Sequence, residues 1–133
     1  MTLFVFYGTL RRGERAFLQL DLATRLRFVG ACTFHGRLYD LGDYPGYVPG
    51  EGVVQGDLFR CVDDGIIAEL DAFEGYDPGD LDGSIYVREP MSLADRVGEA
   101  FVYRYAGLYA GRPLIESGDW PSYRKQRSGA FAI

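Results

Sequence analysis

The sequence predicts an α+β fold, a small mixed β-barrel with short helices at its flanks. Five stretches carry the alternating or continuous apolar pattern of strands, while only two carry helical spacing. Glycines interrupt the strand-like stretches where a barrel must bend. At 133 residues the chain is expected to form one domain, 1–133, long enough to bury a core.

Each element follows from its residues. Positions 3–7, Leu-Phe-Val-Phe-Tyr, form a dense apolar run that stops at Gly8, the pattern of a strand buried on both faces. Ala16, Phe17, Leu20 and Ala23 recur at helical spacing and predict a short amphipathic helix over 14–24. Positions 25–41 read as one or two strands punctuated by Gly30 and Gly36. Gly, Pro and Asp crowd 42–50, which reads as a loop whose Tyr44 and Tyr47 form a lid. A strand is expected over 53–62, then a helix capped by Asp63 and Asp64 with the apolar stripe Ile66, Ile67, Leu70 and Phe73. Gly75 is its natural stop, which places Glu74 in the last turn. A second Gly/Pro/Asp loop covers 76–83, strands follow over 84–93 and 99–106, and a short strand is expected over 113–117. The basic tail from about 123 is expected to be loosely held.

Composition removes several classes of function. Apolar residues at 47% and charged residues at 25% describe an ordinary globular chain, and no apolar run approaches the roughly 20 residues of a bilayer span. With no basic segment before its short apolar start, the chain is expected in the cytoplasm, without a membrane partner. A net charge of −5 with no basic face argues against nucleic acid, since Arg11-Arg12 and Arg124-Lys125-Gln126-Arg127 are too short to change that balance. Cys32 and Cys61 sit in strand-like segments and read as two buried thiols in a reducing compartment. A single histidine, His35, and no close cysteine pair leave no zinc site of ordinary spacing and no Ser-His-Asp or Cys-His machine; no metal or cofactor is expected.

Carboxylates and backbone dipoles remain. The turn Gly8-Thr9-Leu10-Arg11-Arg12-Gly13 joins a buried strand to a helix, so its N–H groups either converge on an anion or simply turn the chain. Glu74 faces the negative end of a helix macrodipole between Phe73 and Tyr76, and both effects raise a carboxyl pKa toward the range of proton transfer. From position alone it reads first as a solvent-facing carboxylate at a frayed helix end, with Asp71 as its competitor.

In order and spacing, Tyr7-Gly8-Thr9-Leu10, Tyr44-Pro45-Gly46, Val54-Gln55-Gly56-Asp57-Leu58-Phe59, Leu70-Asp71-Ala72-Phe73-Glu74-Gly75, Tyr86-Val87-Arg88 and Gly118-Asp119-Trp120 resemble the gamma-glutamylcyclotransferase superfamily. The form of the turn and the short chain look closest to its short bacterial and gamma-glutamylamine branch. This resemblance implies a cyclotransferase fold in which Tyr7, Gly8, Thr9 and Leu10 bind a small-molecule gamma-glutamyl substrate and Glu74 handles protons. It further implies a hydroxyl from Tyr105 near the substrate and an Arg88 that braces the pocket or meets a carboxylate. The implied reaction is cofactor-free: the substrate's own α-amine attacks its side-chain carbonyl, giving 5-oxoproline and a free amine. A non-catalytic module that binds a gamma-glutamyl or amino-acid ligand, and an acyltransferase on the same scaffold, are the other readings. The leaving amine and the oligomeric state are open at this stage.

Overall fold

The computed structural model describes residues 2–129. Strand β1, Leu3–Phe6, runs through the middle of a five-stranded mixed sheet. Around it lie β2, Leu26–Asp40; β3, Pro45–Cys61; β4, Tyr86–Ser92; and β5, Glu99–Tyr105, in the order β2-β3-β1-β5-β4. β1 is antiparallel to β3 through Phe4↔Phe59 and Val5↔Leu58, and parallel to β5 through Phe4↔Phe101. Its unbroken apolar run is explained by this central place, because successive side chains point to opposite faces and both are covered. Phe4 and Phe6 enter one core cluster with Phe17, Phe59 and Leu70, while Val5 and Tyr7 enter the other with Phe34, Leu58 and Trp120.

The sheet curls without closing. β3 also meets β5 at Tyr47↔Arg104, and the Ala94 N–H beyond β4 reaches the Thr33 carbonyl on β2 at 2.9 Å, yet among the described residues β2 and β4 form no ladder. "Barrel" therefore describes the curvature only. The expected glycine bends are present: the β2–β3 register slips between Phe28 and Gly30 and again between His35 and Arg37.

Four local expectations are corrected. The single helix over 14–24 is two, α1, Arg15–Gln19, and α2, Leu22–Arg25, separated by Asp21 at φ 53°. Asp is among the few residues that tolerate this left-handed conformation, and the break turns Leu22 into the core while Leu18 stays 66% exposed. The loop over 42–50 shrinks to 41–44, because β3 begins at Pro45 and pairs Gly46 with Tyr39 and Tyr47 with Leu38. A proline that opens a strand forfeits no ladder donor, and Gly46 lets the Tyr105 ring lie against the backbone, where a Cβ would come within 2.9 Å. Tyr47 is consequently buried in the sheet instead of forming a lid.

The third correction concerns the tail. Residues from 123 onward belong to α4, Trp120–Gly129, and 130–133 fall outside the described residues. Trp120 is fully buried, Tyr123 donates to Asp40 Oδ2 at 2.7 Å and Arg127 bonds the same oxygen at 2.8 Å, so the helix is clamped to the end of β2. The expected strand over 113–117 is reduced to one bridge, Tyr39↔Leu114. Cys32 and Cys61 are both buried, unpaired thiols.

Helix α3, Ile66–Glu74, starts after Gly65, whose N–H is held by Asp63 Oδ1 at 2.9 Å. It ends as expected at Gly75, φ 68°, where Tyr76 N–H bonds the Asp71 carbonyl and Gly75 N–H the Ala72 carbonyl. This is the αL stop that glycine makes without strain.

Candidate active site

One cavity of about 640 Å³ opens beside α3. Its wall contains Tyr7, Gly8, Thr9 and Leu10 from the turn after β1 and Glu74 from the end of α3. Four of these five are local consequences of where β1 stops. Tyr7 Oη donates to the Tyr103 carbonyl at 2.7 Å and accepts the Tyr47 N–H at 3.1 Å, pinning the strand's end to β5 and β3. Gly8 lies so close to the Pro45 ring that a Cβ would stand 2.7 Å from Cγ, which requires glycine by approach and not by φ. Leu10 is buried in the core below the turn.

The far side of the turn is fixed by charge. Arg12 N–H donates to Asp57 Oδ2 at 2.9 Å, and the Arg11 guanidinium spans Asp57 and Asp119, the latter at 2.7 Å. Arg11 N–H closes the turn onto the Gly8 carbonyl at 3.0 Å. The N–H groups of Gly8, Thr9 and Leu10 meet no backbone or side-chain acceptor among the described residues. A cavity wall with several unanswered donors is suited to an anion or a polarised carbonyl oxygen.

Glu74 differs from its neighbour Asp71. Asp71 is buried and fully answered: Arg88 Nε and a terminal nitrogen bond it at 2.9 and 3.2 Å, and Tyr103 Oη donates at 2.7 Å. Glu74, one turn on, is half-buried, lines the cavity and has no hydrogen-bonding partner among the described residues. Burial alone pushes its carboxyl up to about 8, with no nearby cation to hold it down. The same charge helps to keep the phenols of Tyr7, Tyr86 and Tyr103 protonated, after the larger effect of their own burial. A lone carboxyl poised near neutral pH in a cavity is the signature expected of a proton-transfer group.

Arg88 and Tyr105 do not belong to the cavity wall. The Arg88 guanidinium is engaged by the Asp71 carboxylate and covers the Phe101 ring at 4.7 Å, so the carboxylate it meets is internal. Tyr105 packs edge-on against Tyr86 with ring centroids 5.6 Å apart, and its hydroxyl lies against Gly107.

The Gamma-glutamyl cyclotransferase, AIG2-like family matches residues 3–122. The chain belongs to that family. Escherichia coli K12 "Gamma-glutamylcyclotransferase family protein YtfP" is 37% identical to it over 121 residues, covering 90% of this chain and 96% of the relative. The solution structure of protein ytfP from Escherichia coli superposes with a TM-score of 0.66 at 32% identity, covering 92% of this chain and 99% of that one. An AIG2-like protein from Mus musculus gives 0.67 at 25% identity over 87% and 86% of the two chains. The fold and the family thus agree with the resemblance read from the motifs.

Sequence reasoning missed the remainder of the wall. Arg15 and Gln19 reach it from α1, Arg124 and Arg127 from α4, and Asp43 from the β2–β3 turn, beside Tyr44, which of the two expected lid residues is the one that lines the cavity. Tyr86 and Tyr103 complete its floor. The i, i+4 and i, i+3 spacings of the helical residues were available as a signal, but a shared helix face becomes a wall only when tertiary packing sets it beside β1.

Proposed function

We propose that this protein converts a gamma-glutamyl compound to 5-oxoproline and a free amine by intramolecular aminolysis. The observation that carries the reading is the meeting, in one cavity, of an unpaired carboxyl raised to about 8 and the unanswered N–H groups of 8–10. At neutral pH the substrate's α-amine is an ammonium and cannot attack. Glu74, in its carboxylate form, takes one proton from it; acid and base are then close in pKa, the condition for facile transfer in either direction. The freed nitrogen attacks the γ-carbonyl carbon, and negative charge moves to the carbonyl oxygen.

Preorganised N–H donors at Gly8, Thr9 and Leu10 stabilise that oxygen without reorganising at the moment of reaction. Glu74 returns its proton to the departing nitrogen, the original C–N bond breaks, the carbonyl reforms in the five-membered lactam, and the second proton of the attacking nitrogen passes through the same carboxylate to the freed amine, which leaves as an ammonium. One amide replaces another, so neither water nor an enzyme nucleophile enters the balance. The five-membered approach also draws on proximity, worth several orders of magnitude when the reacting atoms are aligned.

The test is a panel of gamma-glutamyl amides assayed for 5-oxoproline, with Glu74→Gln as control. Release by the wild type and a loss of at least a hundredfold in the variant are expected. Full turnover by Glu74→Gln would dismiss Glu74 as the proton carrier.

A further inference from the structure

The cavity is far larger than a glutamyl group needs, and its wall is chemically uneven. Glu74 is half-buried in the wall, whereas Arg15 on α1 is exposed and so lies on the solvent side. Since the glutamyl half must reach Glu74, it enters first and leaves the departing half beside the mouth. Three guanidinium-bearing residues, Arg15, Arg124 and Arg127, line the cavity against two carboxyls, Asp43 and Glu74. Arg124 is answered by Glu14 at 3.0 Å and Arg127 by Asp40 at 2.8 Å. Arg15 makes no ion pair or hydrogen bond among the described residues. Phe73, Ile85 and Tyr44, exposed by 44%, 50% and 42%, add an apolar lip to the same wall.

We propose that Arg15 is a specificity-determining residue that selects substrates whose departing amine carries a carboxylate, so that the site takes gamma-glutamyl amino acids in preference to gamma-glutamyl derivatives of bare amines. The proposal rests on the cyclotransferase reading above. Arg124 and Arg127 hold the wall in place and spend their charge on Glu14 and Asp40, which leaves the Arg15 fork to receive the carboxylate bidentately. The apolar lip takes the side chain of the departing residue. An ionised pair at a cavity mouth, partly shielded from water, favours the acid over its decarboxylated counterpart by roughly tenfold or more.

Gamma-glutamyl-phenylalanine and gamma-glutamyl-phenethylamine differ only in that carboxylate, and both are assayed for 5-oxoproline release by wild type, Arg15→Gln and Arg15→Lys. Wild type is expected to favour the phenylalanine compound at least tenfold in kcat/KM, mainly through KM, and to lose part of that preference at high salt. Arg15→Gln is expected to bring the ratio near one and Arg15→Lys to restore most of it. Equal losses on both substrates, or a wild type without preference, overturn the assignment while leaving the cyclotransferase reading intact. Release from neither substrate overturns both.

Discussion

Replacing Glu74 by glutamine tests the desolvation of the carboxyl separately from catalysis. In the folded protein its pKa stands at about 8 against an ordinary 4.5. Between those values the folded state holds more protons than the unfolded one, so stability falls as pH rises through the window. Each pH unit inside it removes about 1.4 kcal/mol, and the whole window sets a ceiling of about 5 kcal/mol. The carboxyl opens onto a cavity that admits solvent, and relaxation there brings the realised loss to about 2–3 kcal/mol. Glutamine has the same size and does not titrate.

Urea unfolding of both proteins at pH 5 and pH 8.5 is the assay. The variant is expected to gain about 2–3 kcal/mol on the wild type between the two conditions, or roughly 6–12 °C in Tm. The wild type's 5-oxoproline release should show the matching titration, kcat/KM rising with pH through about 8 as the base form accumulates. A stability difference that does not change with pH refutes the desolvation argument. A difference of opposite sign shows that the folded protein holds the carboxyl charged.

Gly8→Ala places a methyl 2.7 Å from Pro45 Cγ, so the turn or the start of β3 must move. A displacement of that size in a substrate cradle is expected to cost at least tenfold in kcat/KM, read by steady-state kinetics; unchanged kinetics would show that 8–10 do not hold the substrate. Asp71→Ala strands the Arg88 guanidinium and the Tyr103 hydroxyl, and denaturant titration should register a loss of about 2–4 kcal/mol. A loss below about 0.5 kcal/mol would mean that this network is not what anchors β4 and β5 under α3.

The candidate site's two reactive parts were legible because both are set by local rules. An apolar run ending at Gly8 places a turn at the end of the central strand, and Gly75 stops α3 so that Glu74 sits at its end. The stretch over 42–50 was misread because Pro45 and Gly46 carry the marks of a turn wherever they stand. Their membership of β3 rests on pairing with Asp40 and Tyr39 of β2 and on contacts distant in the chain, the Pro45 ring against Gly8 and the Gly46 backbone against Tyr105. Arg88 was expected to brace the pocket or meet a carboxylate and Tyr105 to bring a hydroxyl near the substrate; the structure sets the first on the Asp71 carboxylate and packs the second against Tyr86.

By itself, then, the sequence determined the strand-rich α+β class, the stop signals of β1 and α3, and an acid with no compensating cation among its chain neighbours. Tertiary structure alone decided that Glu74 would be desolvated and Asp71 answered, that α4 would bind Asp40, and that three arginines from the two ends of the chain would share one wall. The reason is physical: caps and turns are governed by backbone geometry over a few residues, whereas burial, ion pairing and pKa depend on groups brought together through space across the whole chain.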